Sequence, residues 1–323
     1  MIRWGLIGVG DIAEKRVAGA LKDSPGSSLV AVASARPERA AAFAAKHGIP
    51  RHYGDWREML RDKELDAIYV ATPVRLHPEQ TIAAAEAGKH VLCEKPMALD
   101  AAECARMIAA ARRHGVRLGV AYYRHLYPVV RRMKQILAAG VIGRPVLAQA
   151  HAFERFDVSA DHPRAWFLRK ADAGGGPMFD FGCHRIEVLL DLLGPIARVA
   201  GGSTNVRFTE RDVEDTCVAH FVFASGAQAV LAVSHAAGQP RDSFDIIGTE
   251  GSVHVPVLNL GRMRLVTADG EVEENHLPHP NLHLPLVQDF VEAVDAKREP
   301  VVTGEMGQAV AHALDAIYGS PRA

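Results

Sequence analysis

Two short stretches of the sequence carry side chains suited to moving a proton. The first is "CEKP", where Glu94 and Lys95 directly follow an apolar run and Pro96 prevents further strand pairing. The second is "GGGPMFDFGCHRIE", where Asp180 and His184 are four residues apart and share one face if a helix has begun there. Asp180 can hold the imidazole of His184, which can exchange a proton with a substrate hydroxyl. Taken alone, this pair also fits a helix cap and a core histidine.

A glycine-rich loop close to residue 1 has the spacing of a dinucleotide-binding turn. In "GLIGVGDIA", Gly8 allows the tight turn, Gly10 lets the backbone approach a pyrophosphate, and the small Ala13 lets the helix pack closely. Asp11 and Ile12 open this helix, whose N-terminal N–H groups and partial positive charge favour phosphate. The loop therefore predicts a bound dinucleotide.

The end of the second apolar run indicates which dinucleotide is preferred. It reads "VASARPERA", with Ser34, Arg36 and Arg39 and no carboxylate at the strand tip. A carboxylate there would bind a ribose diol and repel a 2′-phosphate, whereas a hydroxyl and guanidinium groups suit the phosphate. NADP(H) is therefore favoured and NAD(H) is possible. The alternative is that both arginines are solvated on a surface helix.

The positions of these groups depend on repeated βα units in the first part of the chain. Apolar runs without polar alternation predict parallel strands covered on both faces, at residues 3–8, 28–34, 65–72, 90–93 and 116–121. Helix-capping signals lie between them, such as Asp55 with Glu58 and Asp100 with Glu103. The pattern predicts an α/β fold with a doubly wound parallel sheet, a Rossmann domain, over residues 1–121.

The remainder, residues 122–323, has a different pattern. Alternating segments at 144–156, 215–237 and 243–256 predict antiparallel strands, with turns at "SG" and "TEG". Helices are expected at 127–140, near 182–193 and near 284–297. This half is predicted to be an α+β domain that binds the substrate and mediates oligomerisation.

Ligands of doubly wound sheets bind beyond the carboxyl ends of the strands. Thr72, Pro73 and His77 follow one predicted strand, and Glu94 and Lys95 follow the next, so all five are expected on one rim. Thr72, Pro73, His77, Glu94 and Lys95 are therefore candidate cofactor-binding residues. His77 either caps the helix that starts at Pro78 or packs beside the nicotinamide.

Composition excludes several classes of function. The 323 residues carry a formal net charge of −1, which gives no reason to expect nucleic acid as a partner, and no apolar run is long enough to span a membrane. Four single cysteines fit a reduced, cytoplasmic protein. Prolines between His276, His279 and His283 deny them a helical ligand face, so no metal site is expected.

Three segments together resemble the glucose–fructose oxidoreductase/inositol dehydrogenase/rhizopine catabolism (Gfo/Idh/MocA) family: "GVGDIA", "ATPVRLHPEQTIAAAEAGKHVLCEKPMA" and "GGGPMFDFGCHRIE". The resemblance implies a Rossmann domain followed by a domain with an open, mostly antiparallel sheet that often forms oligomer contacts, here a homodimer or homotetramer. It maps the family's catalytic residues onto Lys95, Asp180 and His184. Ser34 and Arg39 look most like the NADP(H)-using 1,5-anhydrofructose reductase branch.

The chain departs from the family in its expected substrate region. Family members commonly have Trp-Arg before the three glycines, whereas this chain has Trp166 followed by Phe167, and Arg169 or Lys170 would have to compensate. Ala121 also replaces a polar residue of the reductase branch. The candidate substrate contacts are Tyr123, Arg124, Trp166, Arg169 and His283. These side chains suit a small polyhydroxylated substrate.

The predicted reaction is hydride transfer between nicotinamide and a carbonyl or secondary alcohol of a sugar or polyol. Lys95, partly buried beside a positive nicotinamide, is expected to have a depressed pKa and to be the main acid/base. His184 is the second candidate, and Glu94 is expected to orient rather than react. Two alternatives remain open: a glycosidase that uses tightly bound NAD in a transient oxidation, and a non-catalytic cofactor-binding sensor.

Overall fold

The computed structural model describes residues 1–159 and 161–319, which divide into two compact units. Unit 1 comprises Met1–Tyr123 and Pro280–Ala311. Unit 2 comprises Arg124–His279 and the described residues from His312 onward. The assignment of residues 1–121 to cofactor binding and 122–323 to substrate binding stays a prediction.

The elements are numbered in chain order. The strands are β1 (Ile2–Ile7), β2 (Ser27–Ala33), β3 (Arg51–Tyr53), β4 (Ala67–Val70), β5 (His90–Cys93), β6 (Leu118–Val120), β7 (Pro145–Phe153), β8 (Ile196–Thr204), β9 (Thr216–Phe223), β10 (Gln228–Ser234), β11 (Phe244–Gly248), β12 (Gly251–Val255), β13 (Arg262–Thr267) and β14 (Gly270–Asn275). The helices are α1 (Ala18–Asp23), α2 (Pro37–His47), α3 (Trp56–Leu60), α4 (His77–Glu86), α5 (Ala101–Arg113), α6 (Pro128–Ala138), α7 (Lys170–Ala173), α8 (Cys183–Leu193), α9 (Leu284–Asp295) and α10 (Gly304–Tyr318). Two π-helical segments, Ala13–Val17 and Met178–Gly182, lead directly into α1 and α8.

Unit 1 contains a six-stranded sheet in the order β3-β2-β1-β4-β5-β6, with every pair parallel. The order reverses between β1 and β4, which is the topological switch point where such sheets bind ligands. The predicted doubly wound parallel sheet is confirmed. Strand β3 is only three residues long and half-exposed, so it lacked the apolar signal of the others.

Residues Pro280–Ala311 belong to unit 1 because α9 packs on the parallel sheet. The Phe290 ring lies 5.4 Å from that of Trp4, a fully buried residue of β1. A Cβ at Gly119 in β6 would lie 2.9 Å from the Phe290 ring, so the absent side chain lets the helix approach the strand closely.

Unit 2 contains an eight-stranded sheet in the order β14-β13-β12-β11-β7-β10-β9-β8. Only β7 and β10 pair in parallel, so the sheet is mostly antiparallel, as predicted. In β9 the buried residues Cys217, Ala219 and Phe221 alternate with the exposed Val218 and His220. One face of the sheet therefore forms a core, on which α8 packs against β7.

The predicted helix starts at Asp55 and Asp100 are confirmed, but only Asp100 makes the predicted hydrogen bond to the residue three positions later. The Asp100 carboxylate accepts a hydrogen bond from the N–H of Glu103 at 2.7 Å, as a capping box requires, and Glu103 accepts one from the N–H of Leu99. Asp55 instead accepts from the N–H of Arg57 at 2.9 Å. No helix in the described part of the chain has the length and apolar character needed to cross a bilayer.

Candidate active site

The glycine-rich loop after β1 has the geometry of a phosphate cradle. Gly8 has a φ of +102°, and a Cβ there would lie 2.4 Å from the carbonyl oxygen of Ala71, so only glycine fits. Gly10 is exposed and a Cβ there would meet no atom within 4 Å, which leaves its backbone open to a ligand. Ala13 is fully buried beneath the turn, as close helix packing requires.

The residues predicted to bind the 2′-phosphate of NADP(H), Ser34 and Arg39, flank this loop. The Ser34 hydroxyl at the end of β2 accepts a hydrogen bond from the N–H of Arg36 at 3.3 Å. The Arg39 guanidinium donates to the carbonyl of Val9 at 3.4 Å while its side chain remains exposed. The structure therefore brings Ser34 and Arg39 to the rim of the cradle, and a hydroxyl beside a guanidinium fits a phosphate monoester.

Strands β4 and β5 bring the other rim residues together in unit 1. Val70 and Cys93 are register partners, so Thr72 and Pro73 leave the sheet at the same edge as Glu94 and Lys95. Lys95 is half-buried, and the Lys95–Pro96 peptide bond is cis.

His77 connects the two loops that carry these residues. It is 1% exposed, and its ring nitrogens lie 2.8 Å from the carbonyl oxygen of Thr72 and 3.0 Å from that of Pro96. Burial lowers the pKa of His77 below its ordinary value, which favours a neutral ring. His77 is the first residue of α4 and does not cap it, so the capping interpretation is wrong. Its contact with nicotinamide stays a prediction.

The carboxylate of Glu94 is the centre of a buried network. It accepts hydrogen bonds from the Tyr69 hydroxyl at 2.7 Å and the Lys95 N–H at 3.1 Å, and His283 Nε2 lies 3.1 Å away. Burial alone would raise the pKa of Glu94, but the contacts from His283 and Tyr69 outweigh it and lower the pKa. The side chain is therefore an anion that fixes the backbone of Lys95, as the predicted orienting role requires.

His283 was predicted to contact substrate, and the structure gives it another partner as well. It is 1% exposed, bound to Glu94, and its ring centroid lies 4.6 Å from that of Tyr123. Both residues belong to unit 1. Their substrate contacts stay predictions.

The glycine-rich segment of unit 2 positions Asp180 and His184. A Cβ at Gly176 would lie 1.9 Å from the carbonyl oxygen of Glu214, which lies just before β9. The chain can therefore pass this close to Glu214 only because Gly176 has no side chain. The N–H of Gly176 donates to the Glu214 carboxylate at 2.8 Å, and the Tyr318 hydroxyl donates to the same carboxylate. Asp180 and His184 follow at 8% and 2% exposure.

Asp180 has two neighbours that sequence reasoning missed. His235 Nε2 lies 3.5 Å and Arg164 Nη2 lies 3.7 Å from Asp180 Oδ2. Glu154, Asp180 and His235 each place one potential metal-ligand atom within 4.8 Å of the other two. Among the described residues, this is the one group of three or more such side chains that could hold a metal ion. The Arg164 guanidinium already supplies positive charge there. The predicted contact between Asp180 and His184 stays a prediction.

The remaining substrate candidates lie around an aromatic cluster in unit 2. The rings of Trp166 and Phe167 are 3.9 Å apart, and the Arg164 guanidinium lies 5.1 Å from the Phe167 ring. Arg169 is largely exposed and paired with Asp172 at 2.5 Å. Arg164, rather than Arg169, thus brings a guanidinium next to the position where the family commonly has arginine.

Arg124, another substrate candidate, is 6% exposed, with its guanidinium 6.0 Å from the Tyr127 ring. Its contact with substrate stays a prediction.

Comparison with known proteins places these features in context. The model of an oxidoreductase family with an NAD-binding Rossmann fold matches residues 2–122, and the GFO/IDH/MocA C-terminal domain model matches residues 130–254. The 1,5-anhydro-D-fructose reductase of Ensifer adhaerens is 34% identical over 316 residues, covering 95% of this chain and 92% of the relative.

Solved structures agree with the fold over almost the whole chain. Levoglucosan dehydrogenase in complex with NADH and levoglucosan superposes with a TM-score of 0.89 at 25% identity, covering 99% of this chain and 96% of the other. Aldose-aldose oxidoreductase from Caulobacter crescentus, complexed with glycerol, gives 0.89 at 27% identity, covering 98% and 96%.

Proposed function

Because the chain belongs to the Gfo/Idh/MocA family of oxidoreductases with an NAD-binding Rossmann fold, we propose that it transfers a hydride between a nicotinamide dinucleotide and a sugar or polyol. The reacting group is a carbonyl in reduction and a secondary alcohol in oxidation. The observation that carries the proposal is the Lys95 loop, which is fixed by the buried Glu94 anion at the ligand edge of a parallel sheet.

Three residues have separate roles in the proposed reaction. The nicotinamide, when bound, supplies or accepts the hydride. Lys95 Nζ donates the proton to the carbonyl oxygen in reduction and removes it from the hydroxyl in oxidation. His184 holds or exchanges the proton of a neighbouring hydroxyl, and Asp180 orients its ring.

A variant at Lys95 tests this division. Lys95→Ala is expected to lower kcat by roughly 100-fold or more because the acid/base is lost, while NADPH binding, followed by protein fluorescence, is retained. Lys63→Ala, which removes an exposed lysine elsewhere in unit 1, should leave both quantities unchanged. Full turnover by Lys95→Ala would contradict the proposal.

The cofactor is proposed to be NADP(H). Ser34 and Arg39 at the rim of the cradle support this, because a serine hydroxyl and a guanidinium can both donate hydrogen bonds to a 2′-phosphate and no carboxylate at the strand tip repels it. Titration of NADPH and NADH should show tighter NADPH binding, and Arg39→Ala should erase the preference. Arg262→Ala, at the exposed first residue of β13 in unit 2, is the control. Equal binding of both dinucleotides would contradict the phosphate assignment.

The substrate is proposed to be a polyhydroxylated small molecule held partly by Arg164. The names of the relatives, 1,5-anhydro-D-fructose reductase and levoglucosan dehydrogenase, support a sugar. Arg164 is half-buried beside Asp180 and Phe167, so its guanidinium can donate to sugar hydroxyls while the rings of Trp166 and Phe167 contact sugar C–H groups.

A substrate panel tests this class and its alternatives. We expect NADPH-dependent reduction of 1,5-anhydro-D-fructose or dinucleotide-dependent oxidation of levoglucosan, with Arg164→Ala raising KM. Cleavage of a nitrophenyl glycoside without net cofactor consumption would favour the glycosidase alternative. Tight dinucleotide binding with no turnover of any sugar would favour the sensor.

Assembly through the eight-stranded sheet is also proposed. Apolar residues on its open face, including the 47%-exposed Val218, support a homodimer or homotetramer.

A further inference from the structure

The segment that leads into α9 is bonded to the helix that follows the glycine-rich loop. The Asn281 side-chain amide donates to the carbonyl oxygen of Arg16 at 2.9 Å, and the Arg16 guanidinium donates to the carbonyl oxygen of Pro280 at 2.9 Å. The bonded residues are 265 and 264 positions apart in the sequence, and all of them belong to unit 1. Two hydrogen bonds of opposite direction thus hold one backbone segment against the other.

Arg16 lies close to the proposed phosphate site. It belongs to the π-helical segment Ala13–Val17, which begins three residues after Gly10, and π-helical turns are often found at functional sites. At Gly19 in α1, a Cβ would lie 3.3 Å from the amide nitrogen of Asn281, so a side chain there would crowd the contact. The helix whose N-terminus is proposed to bind the phosphates is therefore held in its first turns by Asn281.

Asn281 also fixes the residue that contacts Glu94. Its side-chain oxygen accepts a hydrogen bond from the backbone N–H of His283 at 3.1 Å. His283 Nε2 lies 3.1 Å from one carboxylate oxygen of Glu94, and the other oxygen accepts from the N–H of Lys95 at 3.1 Å. Direct contacts therefore run from Arg16 through Asn281, His283 and Glu94 to Lys95.

The start of α9 does not by itself require these two side chains. Aspartate makes the same turn contact as asparagine, but only the asparagine amide can also donate to Arg16. His283 is 1% exposed, and its Nδ1 has no hydrogen-bond partner among the described residues. Because a buried nitrogen without a partner is costly, packing alone would favour an apolar side chain at this position.

We propose that Asn281 is a positioning residue that ties the bound dinucleotide to Lys95. The proposal rests on the proposed function, in which Lys95 exchanges the substrate proton. The hydride reacts at the carbon and the proton at the oxygen of one substrate group, so the nicotinamide and Lys95 must keep a fixed relative position. The glycine-rich loop holds the dinucleotide, and Asn281 links that loop to Lys95 by acting through His283 and Glu94.

Asn281→Ala tests the link. It is expected to lower kcat by roughly tenfold, because a small misplacement of reacting groups slows the chemical step. The dissociation constant of NADPH and KM for the sugar should change little, since Asn281 belongs to neither binding site. The solvent deuterium isotope effect on kcat should increase, because proton transfer at Lys95 becomes slower. The assay uses NADPH with 1,5-anhydro-D-fructose, or levoglucosan oxidation where that is faster.

A double-mutant cycle tests whether Asn281 acts through His283. His283→Leu should also lower kcat, and adding Asn281→Ala to it should lower kcat no further, because both changes break the same chain of contacts. His283→Gln should retain most of the activity, since its amide nitrogen can replace Nε2 as the donor to Glu94. Asn259→Ala, which removes a side chain bonded to the Tyr127 hydroxyl in unit 2, should leave kcat and the isotope effect unchanged.

Three outcomes would overturn the proposal: wild-type kcat in a folded Asn281→Ala, effects that multiply in the double variant, or a loss of activity that matches a loss of NADPH binding. If Asn281→Ala folds poorly, Arg16→Ala removes only the contact to Pro280 and should lower kcat by a smaller factor, and wild-type kcat in that variant would also contradict the link. Lys95→Ala separates the two proposals. Full turnover by Lys95→Ala overturns the proposed function, whereas an inactive Lys95→Ala beside a fully active Asn281→Ala overturns the link alone.

Discussion

At the residue scale, one carboxylate organises the loop that carries Lys95. Glu94 is 5% exposed, yet Tyr69, His283 and the N–H of Lys95 all contact its two oxygens. A buried carboxylate is tolerated only with such partners, and here they hold its pKa below the ordinary value despite burial. The position of Lys95 therefore depends on the buried hydrogen bonds that Tyr69 and His283 make to Glu94.

Removing one of these partners should destabilise the protein measurably. Tyr69→Phe deletes the hydroxyl that donates to Glu94 at 2.7 Å and leaves a buried anion less solvated. We expect the free energy of unfolding to fall by about 2 kcal/mol, the usual range for a hydrogen bond to a charged group. Urea unfolding at pH 7 measures the change, and kcat should fall as well because the Lys95 loop is less fixed.

Tyr53→Phe is the matched control for that experiment. The Tyr53 hydroxyl also donates to a carboxylate, that of Asp62, at 3.2 Å, but it lies at a half-exposed strand end away from the Lys95 loop. Its loss should cost less stability and leave kcat unchanged. Equal effects of the two variants would contradict the role assigned to Glu94.

At the element scale, the glycine-rich turn before α8 depends on close backbone contact. A Cβ at Gly176 would lie 1.9 Å from the carbonyl oxygen of Glu214, a backbone atom that a side-chain rotation cannot move away. Gly176→Ala is therefore expected to lower the free energy of unfolding by roughly 2 kcal/mol or more and to reduce activity. Gly202→Ala in β8, where a Cβ meets no atom within 4 Å, should change stability little. Thermal unfolding of both variants gives the comparison.

A bidentate ion pair attaches the edge strand β14 to helix α6. The Arg132 guanidinium donates to both oxygens of Glu274 at 2.8 Å, and this contact lowers the pKa of Glu274 to about 2. Because the pKa is lower in the folded state than in the unfolded chain, the stabilisation is present above the unfolded value and is lost as pH falls from about 5 towards 2.

Glu274→Gln should therefore cost roughly 2 kcal/mol at pH 7, and its effect should shrink as the pH is lowered to 3. Urea titrations at the two pH values measure this difference. Glu271→Gln, in the same strand but paired with Arg264 at the exposed surface, should have little effect at either pH. A penalty for Glu274→Gln that does not change with pH would contradict the ion-pair account.

At the scale of the whole molecule, local signals predicted much of the fold. The apolar strands of the parallel sheet and its glycine-rich turn are readable because each depends on residues close in sequence. The attachment of α9 was not predicted, since Phe290 meets Trp4 from the other end of the chain. His235 and Arg164 beside Asp180, and His125 beside Glu187, are likewise set by tertiary packing, which the spacing of residues along one strand or helix does not encode.

The open face of the eight-stranded sheet leads to the last prediction. Val218 on β9 pairs with Ala232 on β10, and His220 pairs with Val230, so apolar side chains recur on the face opposite the core. Exposed apolar side chains on an open sheet face, such as Val218, support an interface between copies of a chain. Analytical ultracentrifugation of the wild type should give a dimer or tetramer, and Val218→Glu should shift it towards monomer because the carboxylate would be buried unpaired. Val301→Glu, at a 42%-exposed valine of unit 1, should leave the mass unchanged, and a monomeric wild type would contradict assembly through this sheet.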